Sequence, residues 1–118
     1  MKATREEVWR RLVDPTEIEG WSGASAVMEA WPGGRFELWG GDMFGVNLEV
    51  APPRKLVQQW QVRGWEEPST VTFTLRSNRA EGQTIVELVH AGVPAEEAEE
   101  YAQGWDEHYL GAIKRGLG

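Results

Sequence analysis

The 118-residue sequence has no cysteine, which excludes disulfides, thiolate metal sites and a cysteine nucleophile and suits a reducing compartment. Histidine is scarce, limited to His90 and His108. Positive charge is thin: Arg10-Arg11 and Lys114-Arg115 are isolated pairs, and the formal net charge is −7. Binding to a phosphate backbone needs clustered Lys and Arg, so no nucleic-acid partner is expected. No apolar run approaches the roughly 20 residues of a membrane-spanning helix. Met1 to Glu7 lack the apolar core of a signal peptide. These absences together predict a cytoplasmic domain with no membrane partner.

Glycine (14) and tryptophan (7) are plentiful. The glycines imply many tight turns. Each tryptophan can bury roughly 150–250 Å², so these side chains dominate whatever interior or cavity the chain builds. With 41% hydrophobic and 26% charged residues, the composition predicts one globular domain over residues 1–118.

The last third organises the chain. Thr84 to His90 alternates like a strand, Ala91-Gly92-Val93-Pro94 turns, and a helical pattern follows to the end. At 100° per residue Ala98, Tyr101, Ala102, Trp105, Tyr109, Ala112 and Ile113 share one face, with Glu96, Glu100, Glu107 and Lys114 opposite. An aromatic stripe of this kind needs a concave apolar surface to lie in.

The preceding residues supply such a surface. Thr4-Arg5-Glu6-Glu7 forms a capping box that opens a helix to about Val13. Asp14-Pro15 starts a short second helix, expected to end near Gly20 and deliver Trp21. The period then changes to two. Strands are expected over Ala26 to Trp31, Arg35 to Trp39, Met43 to Val50, Lys55 to Val62, Thr70 to Ser77 and Thr84 to His90, joined by Gly- or Pro-bearing turns and polar loops. In the third strand, Val46, Leu48 and Val50 alternate against Asn47 and Glu49. An antiparallel meander closing on a terminal helix is an α+β two-layer design.

Candidate chemistry is sparse. His90 is in phase with Val86 and Leu88 and so faces the concave side, as a ligand contact or acid–base group or, more simply, as a histidine bonded to a loop carbonyl. His108 falls on the helix rim. A metal would need His90, His108 and Asp106 or Glu49 to converge, and two lone histidines without short spacing are a weak signal; no metal or cofactor is expected. No Gly-x-Ser-x-Gly or Ser/His/Asp pattern marks nucleophilic catalysis, so the reading leans away from an enzyme. Arg35 and Glu49 belong on the outer sheet face. The acidic run Glu96 to Glu100 suits a helix N-terminus. Trp39, Trp60, His90, Tyr101 and Trp105 are the candidate cavity residues. The alternative is that the aromatic side chains simply fill the core, with Trp39 and Trp65 at a cavity mouth or an interface.

Several features in order carry a resemblance: Val8-Trp9, Asp14-Pro15 then Trp21, Gly33-Gly34-Arg35-Phe36, Gly45 then Glu49-Val50, Pro53 before Leu56-Val57, Trp60, Thr84, His90-Ala91-Gly92-Val93-Pro94, and Gly104-Trp105. Together they resemble the activator of heat-shock-protein 90 ATPase homologue family, within the START-related superfamily of birch-pollen-allergen (helix-grip) fold. The resemblance implies a curved antiparallel sheet wrapped around the C-terminal helix, two short helices closing one end, and a cavity between sheet and helix.

Family members usually begin with a strand before the first helix, and only Met1, Lys2 and Ala3 precede Thr4 here. A homodimer through the unpaired sheet edge, or an edge-capped variant, is therefore expected. The eukaryotic co-chaperone carries an additional N-terminal domain, so its activity does not follow from the resemblance alone. Three functions fit these features. The first is a module binding a small hydrophobic molecule; the second is a protein-interaction module related to chaperone regulation, with a chaperone partner. An enzyme of the cyclase or hydrolase kind ranks last.

Overall fold

A computed structural model describes residues 3–62, 67–78, 83–92, 97–105 and 109–116. Trp65, Val93, Pro94, Glu96, Asp106, Glu107, His108 and the hairpin loop from Arg79 to Gly82 lie outside the described residues.

The chain opens with α1 (Arg5–Val13), capped where the Thr4 hydroxyl accepts the Glu7 amide at 3.2 Å. Val8, Trp9 and Leu12 form its buried face. One Asp14 carboxylate oxygen accepts the amides of Thr16 (2.9 Å) and Glu17 (3.4 Å) and starts α2 (Pro15–Ser22). Gly20 does not end this helix. Gly23 does, at φ 73°, a left-handed conformation that costs glycine little. Trp21 is therefore presented from the helix itself, and its indole N–H donates to the Arg11 carbonyl at 2.8 Å.

Six antiparallel strands follow in meander order, β1 (Val27–Met28), β2 (Arg35–Leu38), β3 (Met43–Ala51), β4 (Lys55–Val62), β5 (Ser69–Asn78) and β6 (Gln83–Ala91). β1 is far shorter than the predicted Ala26–Trp31. Beyond Met28 the Glu29 carbonyl accepts from both Trp31 N–H (2.9 Å) and the Asn47 side-chain amide (2.7 Å), which draws the chain out of the ladder. Gly34 lies against the same residue: a Cβ there would stand 2.2 Å from the Glu29 oxygen.

β3 departs from simple alternation. A bulge shifts its register between Asn47 and Glu49. Asn47 is fully buried and Leu48 is 50% exposed, the reverse of what hydrophobicity predicts. β4 turns Leu56, Gln58 and Trp60 inward together, all at most 1% exposed. Arg35 and Glu49 do lie on the outer side, where Glu49 pairs with Lys55 at 3.3 Å.

The C-terminal segment comprises α3 (Ala98–Gly104) and α4 (Leu110–Gly116), with Trp105 and Tyr109 at their facing ends. Trp105, Tyr109 and Ile113 are buried against the sheet, whereas Ala102, placed on the stripe by periodicity, is exposed. The core joins these residues to Phe36, Leu38, Leu56, Trp60, Val71, Phe73 and Leu75 from the sheet. α1 packs against β5 and β6, and α2 against α4. The architecture is an α+β helix-grip fold: a curved six-stranded antiparallel sheet wrapped around the C-terminal helical segment.

Among the described residues, no strand pairs with the outer side of β6. The Thr84 hydroxyl there donates to the carbonyl of buried Ala3 at 2.7 Å, so the N-terminal segment is tied to this strand by a side chain. No described helix is long and apolar enough to cross a membrane.

Candidate functional site

Between the helical segment and the concave sheet face lies a cleft of about 570 Å³. That is within the roughly 300–1,000 Å³ of small-molecule sites. Of the five residues predicted for a cavity, Trp39, Trp60, Tyr101 and Trp105 line it. Trp21 and Tyr109 complete the aromatic wall, and Glu97 and Glu100 stand on the α3 side. Trp21 could have been anticipated from its position just after a capped helix, and Tyr109 from the stripe. The two glutamates read as helix-terminus charges and were missed.

The rings form one continuous array. Trp105 and Tyr109 centroids are 4.6 Å apart, Trp60 and Trp105 5.0 Å, and Trp21 and Tyr109 4.6 Å. Trp39 packs edge-on against both Trp21 (6.2 Å) and Tyr109 (6.0 Å). Such tilted and edge contacts exceed plain area burial by about 0.5–1.5 kcal/mol per pair. Trp39 holds its place at φ 49°, followed by Gly40 at 67° and Gly41 at 93°. A left-handed tryptophan is strained by roughly 1–2 kcal/mol, so surrounding contacts must impose it. This kink, rather than the predicted strand end, aims Trp39 at the cleft. Burial holds the Tyr109 hydroxyl far above its usual range, so it stays neutral.

His90 does not line the cleft. It stands behind the wall, with its Nε2 2.7 Å from the Ser69 hydroxyl and its Nδ1 accepting the Trp105 indole N–H at 3.0 Å. Burial lowers its pKa below 6.5 and favours the neutral ring. The Trp105 bond fixes the tautomer: Nδ1 accepts, so Nε2 carries the proton and donates to Ser69. The Ser69 hydroxyl in turn donates to the Trp60 carbonyl at 3.3 Å. In a nucleophilic serine–histidine pair the proton must sit on Nδ1, leaving Nε2 to take the hydroxyl proton. Here the order is reversed, and the pair acts as a brace for the two tryptophans.

A second polar chain continues across the sheet. The Trp60 indole donates to Gln58 Oε1 at 2.7 Å, the Gln58 amide donates to Asn47 Oδ1 at 2.9 Å, and Asn47 donates to the Glu29 carbonyl. Every member of this chain on β3 and β4 is buried, so its hydrogen bonds are needed to offset desolvation. Trp60 and Trp105 are thus fixed by their polar edges and packed against neighbouring rings.

Glu49, a carboxylate that a metal site would have needed, is on the outer face and pairs with Lys55. His108 and Asp106 lie outside the described residues.

A family model described as Activator of Hsp90 ATPase homolog 1-like protein matches residues 2–118. The chain belongs to this family. It is similar to human Activator of 90 kDa heat shock protein ATPase homolog 1, 30% identical over 113 residues that cover 96% of this chain and 33% of that protein. It also resembles the crystal structure of an HSP90 activator from Plasmodium falciparum, with a TM-score of 0.91 and 29% identity, covering 99% of this chain and 90% of that one. CalU16 from Micromonospora echinospora shares the fold at a TM-score of 0.81 and 30% identity, over 96% of this chain and 70% of that one. The chain spans about a third of the length of the curated relatives it matches.

Proposed function

We propose that this domain of the Hsp90-activator homologue family works as a binding module that docks on an Hsp90-class chaperone and raises its ATPase rate, with no chemistry of its own. The observation that carries this reading is the likeness to a solved HSP90 activator across 90% of that chain at a TM-score of 0.91. The braced His90 tautomer supports it, since the Ser69–His90 contact is arranged for support rather than proton abstraction. Exposed apolar side chains give such a module something to dock with. Trp31 is 57% exposed, in a turn hydrogen-bonded to Asn47 beside 50%-exposed Leu48. Isothermal titration of the purified chain into an Hsp90-class chaperone tests the docking. A saturable heat at micromolar concentrations is the expected result, and its absence with both proteins folded would sink the reading.

The aromatic cleft favours a second reading, that the domain holds a small apolar or aromatic molecule between sheet and helix. Intrinsic tryptophan fluorescence should then respond to a panel of lipids and polycyclic aromatics. Tyr101→Ala, at a half-buried wall position, should weaken that response while leaving the fold intact.

A further inference from the structure

The cleft has a charge character that an apolar-ligand site does not need. Its walls are lined by Trp21, Trp39, Trp60, Trp105, Tyr101 and Tyr109. The charged residues lining it are Glu97 and Glu100, and no Lys or Arg is among the described lining residues. Glu97 is the N-cap of α3 and Glu100 stands in its first turn; periodicity places Glu100 opposite the Tyr101 stripe, yet both glutamates line the cleft beside Tyr101. Glu99, in that same turn, does not line the cleft. Their field is felt at the wall, because the Tyr101 hydroxyl is held above its usual range first by burial and then by the Glu97 and Glu100 carboxylates. Charge favouring the helix N-terminus explains acidic residues in the first turn. It does not explain why the two that face inward meet at the edge of an aromatic array.

Aromatic faces carry negative quadrupoles and attract organic cations, most strongly when the site is partly desolvated. Carboxylates at the rim add attraction for a cation and repel anions. We propose that the cleft takes an amphiphilic organic cation, with its apolar body among the rings and its trimethylammonium or protonated-amine head between the aromatic wall and Glu97 and Glu100. This rests on the small-molecule reading of the cleft and specifies its ligand class.

Three matched probes test it by calorimetry on the full chain in about 0.15 M salt, where distant surface charges are screened. They are phenethyltrimethylammonium, its neutral carbon isostere (3,3-dimethylbutyl)benzene, and the anion 3-phenylpropionate. The cation should bind about tenfold more tightly than the isostere, and the anion more weakly than either. Glu100→Gln, at an exposed position, should weaken cation binding about threefold or more and leave the isostere unchanged. Glu99→Gln, also exposed, should change neither. Equal binding of cation and isostere, or equal losses in the two variants, would overturn the cation inference while leaving a cleft that binds apolar molecules. If none of the three probes binds the folded chain, the inference and the small-molecule reading fail together.

Discussion

Replacing Gln58 with leucine should cost more than its size suggests. Gln58 is fully buried, accepts from the Trp60 indole at 2.7 Å and donates to Asn47 at 2.9 Å. Leucine leaves a buried donor and a buried acceptor without partners, at about 1–3 kcal/mol each. Leucine itself needs no partner, which offsets about 1–2 kcal/mol, so a net loss of about 1–4 kcal/mol is expected. Unfolding entropies of about 2.1 cal/mol/K per residue make each kcal/mol worth about 4 °C in a chain of this length, a fall in Tm of about 4–16 °C. Thermal unfolding followed by circular dichroism measures this directly. The double variant Gln58→Leu/Trp60→Phe should lose about 1–2 kcal/mol less than the two single losses added together, because it has no orphaned indole. A Gln58→Leu shift under about 2 °C, or fully additive single losses, would refute the claim that the polar chain braces the wall.

Three further outcomes follow from the same geometry. Gly45→Ala should prevent stable folding or cost more than about 3 kcal/mol by urea titration, since its Cβ would stand 1.8 Å from the Gln59 carbonyl oxygen, which cannot move without breaking the β3–β4 ladder. His90 has a folded pKa below its unfolded 6.5, so the unfolded chain takes up its proton first as pH falls. Its contribution is full above about pH 6.5 and is lost as pH drops toward the folded value; urea midpoints between pH 7.5 and 5 should fall less steeply in His90→Gln than in the parent. The outer side of β6 carries no strand among the described residues. The expectation is a homodimer through this edge or an edge-capped variant, and a monomeric mass by light scattering across a tenfold concentration range would count against the dimer.

Much of the fold was legible because its signals are local. The Thr4 and Asp14 caps, the Pro52-Pro53-Arg54 turn and the Lys55–Val62 strand each depend on a few neighbouring residues. The misreadings have tertiary causes. Asn47 reads as an outward polar residue, yet the β3 bulge turns it inward to join Gln58 and the Glu29 carbonyl. The adjacent Gln58-Gln59 interrupts hydrophobic alternation, yet Gln58 is buried in the same hydrogen-bonded chain. A buried amide pair imitates a surface pattern, and no periodicity distinguishes the two. Ala102 fails on the helix because periodicity gives direction without depth. At the site, Tyr101 and Trp105 belong to the helical stripe, and Trp39 and Trp60 were among the cavity candidates. The route of Trp39 to the cleft, through a left-handed residue, was not readable. His90 lies on the inner side as its phase predicts, and it meets Trp105 and Ser69, residues distant in sequence, while the loop from 93 to 96 lies outside the described residues.

Family membership has also changed the order of the functional readings. Composition and the aromatic stripe favour a small-molecule module first and a chaperone-related module second. The likeness to a solved HSP90 activator over almost the whole of both chains favours the chaperone-related reading that we propose. The curated relatives are about three times as long, so what this one domain can do alone is the central question. Steady-state ATP hydrolysis by an Hsp90-class chaperone, titrated with the purified chain, answers it most directly. The account predicts a rate that rises and saturates with added chain. An unchanged rate, with no association detected between the folded proteins, would contradict it.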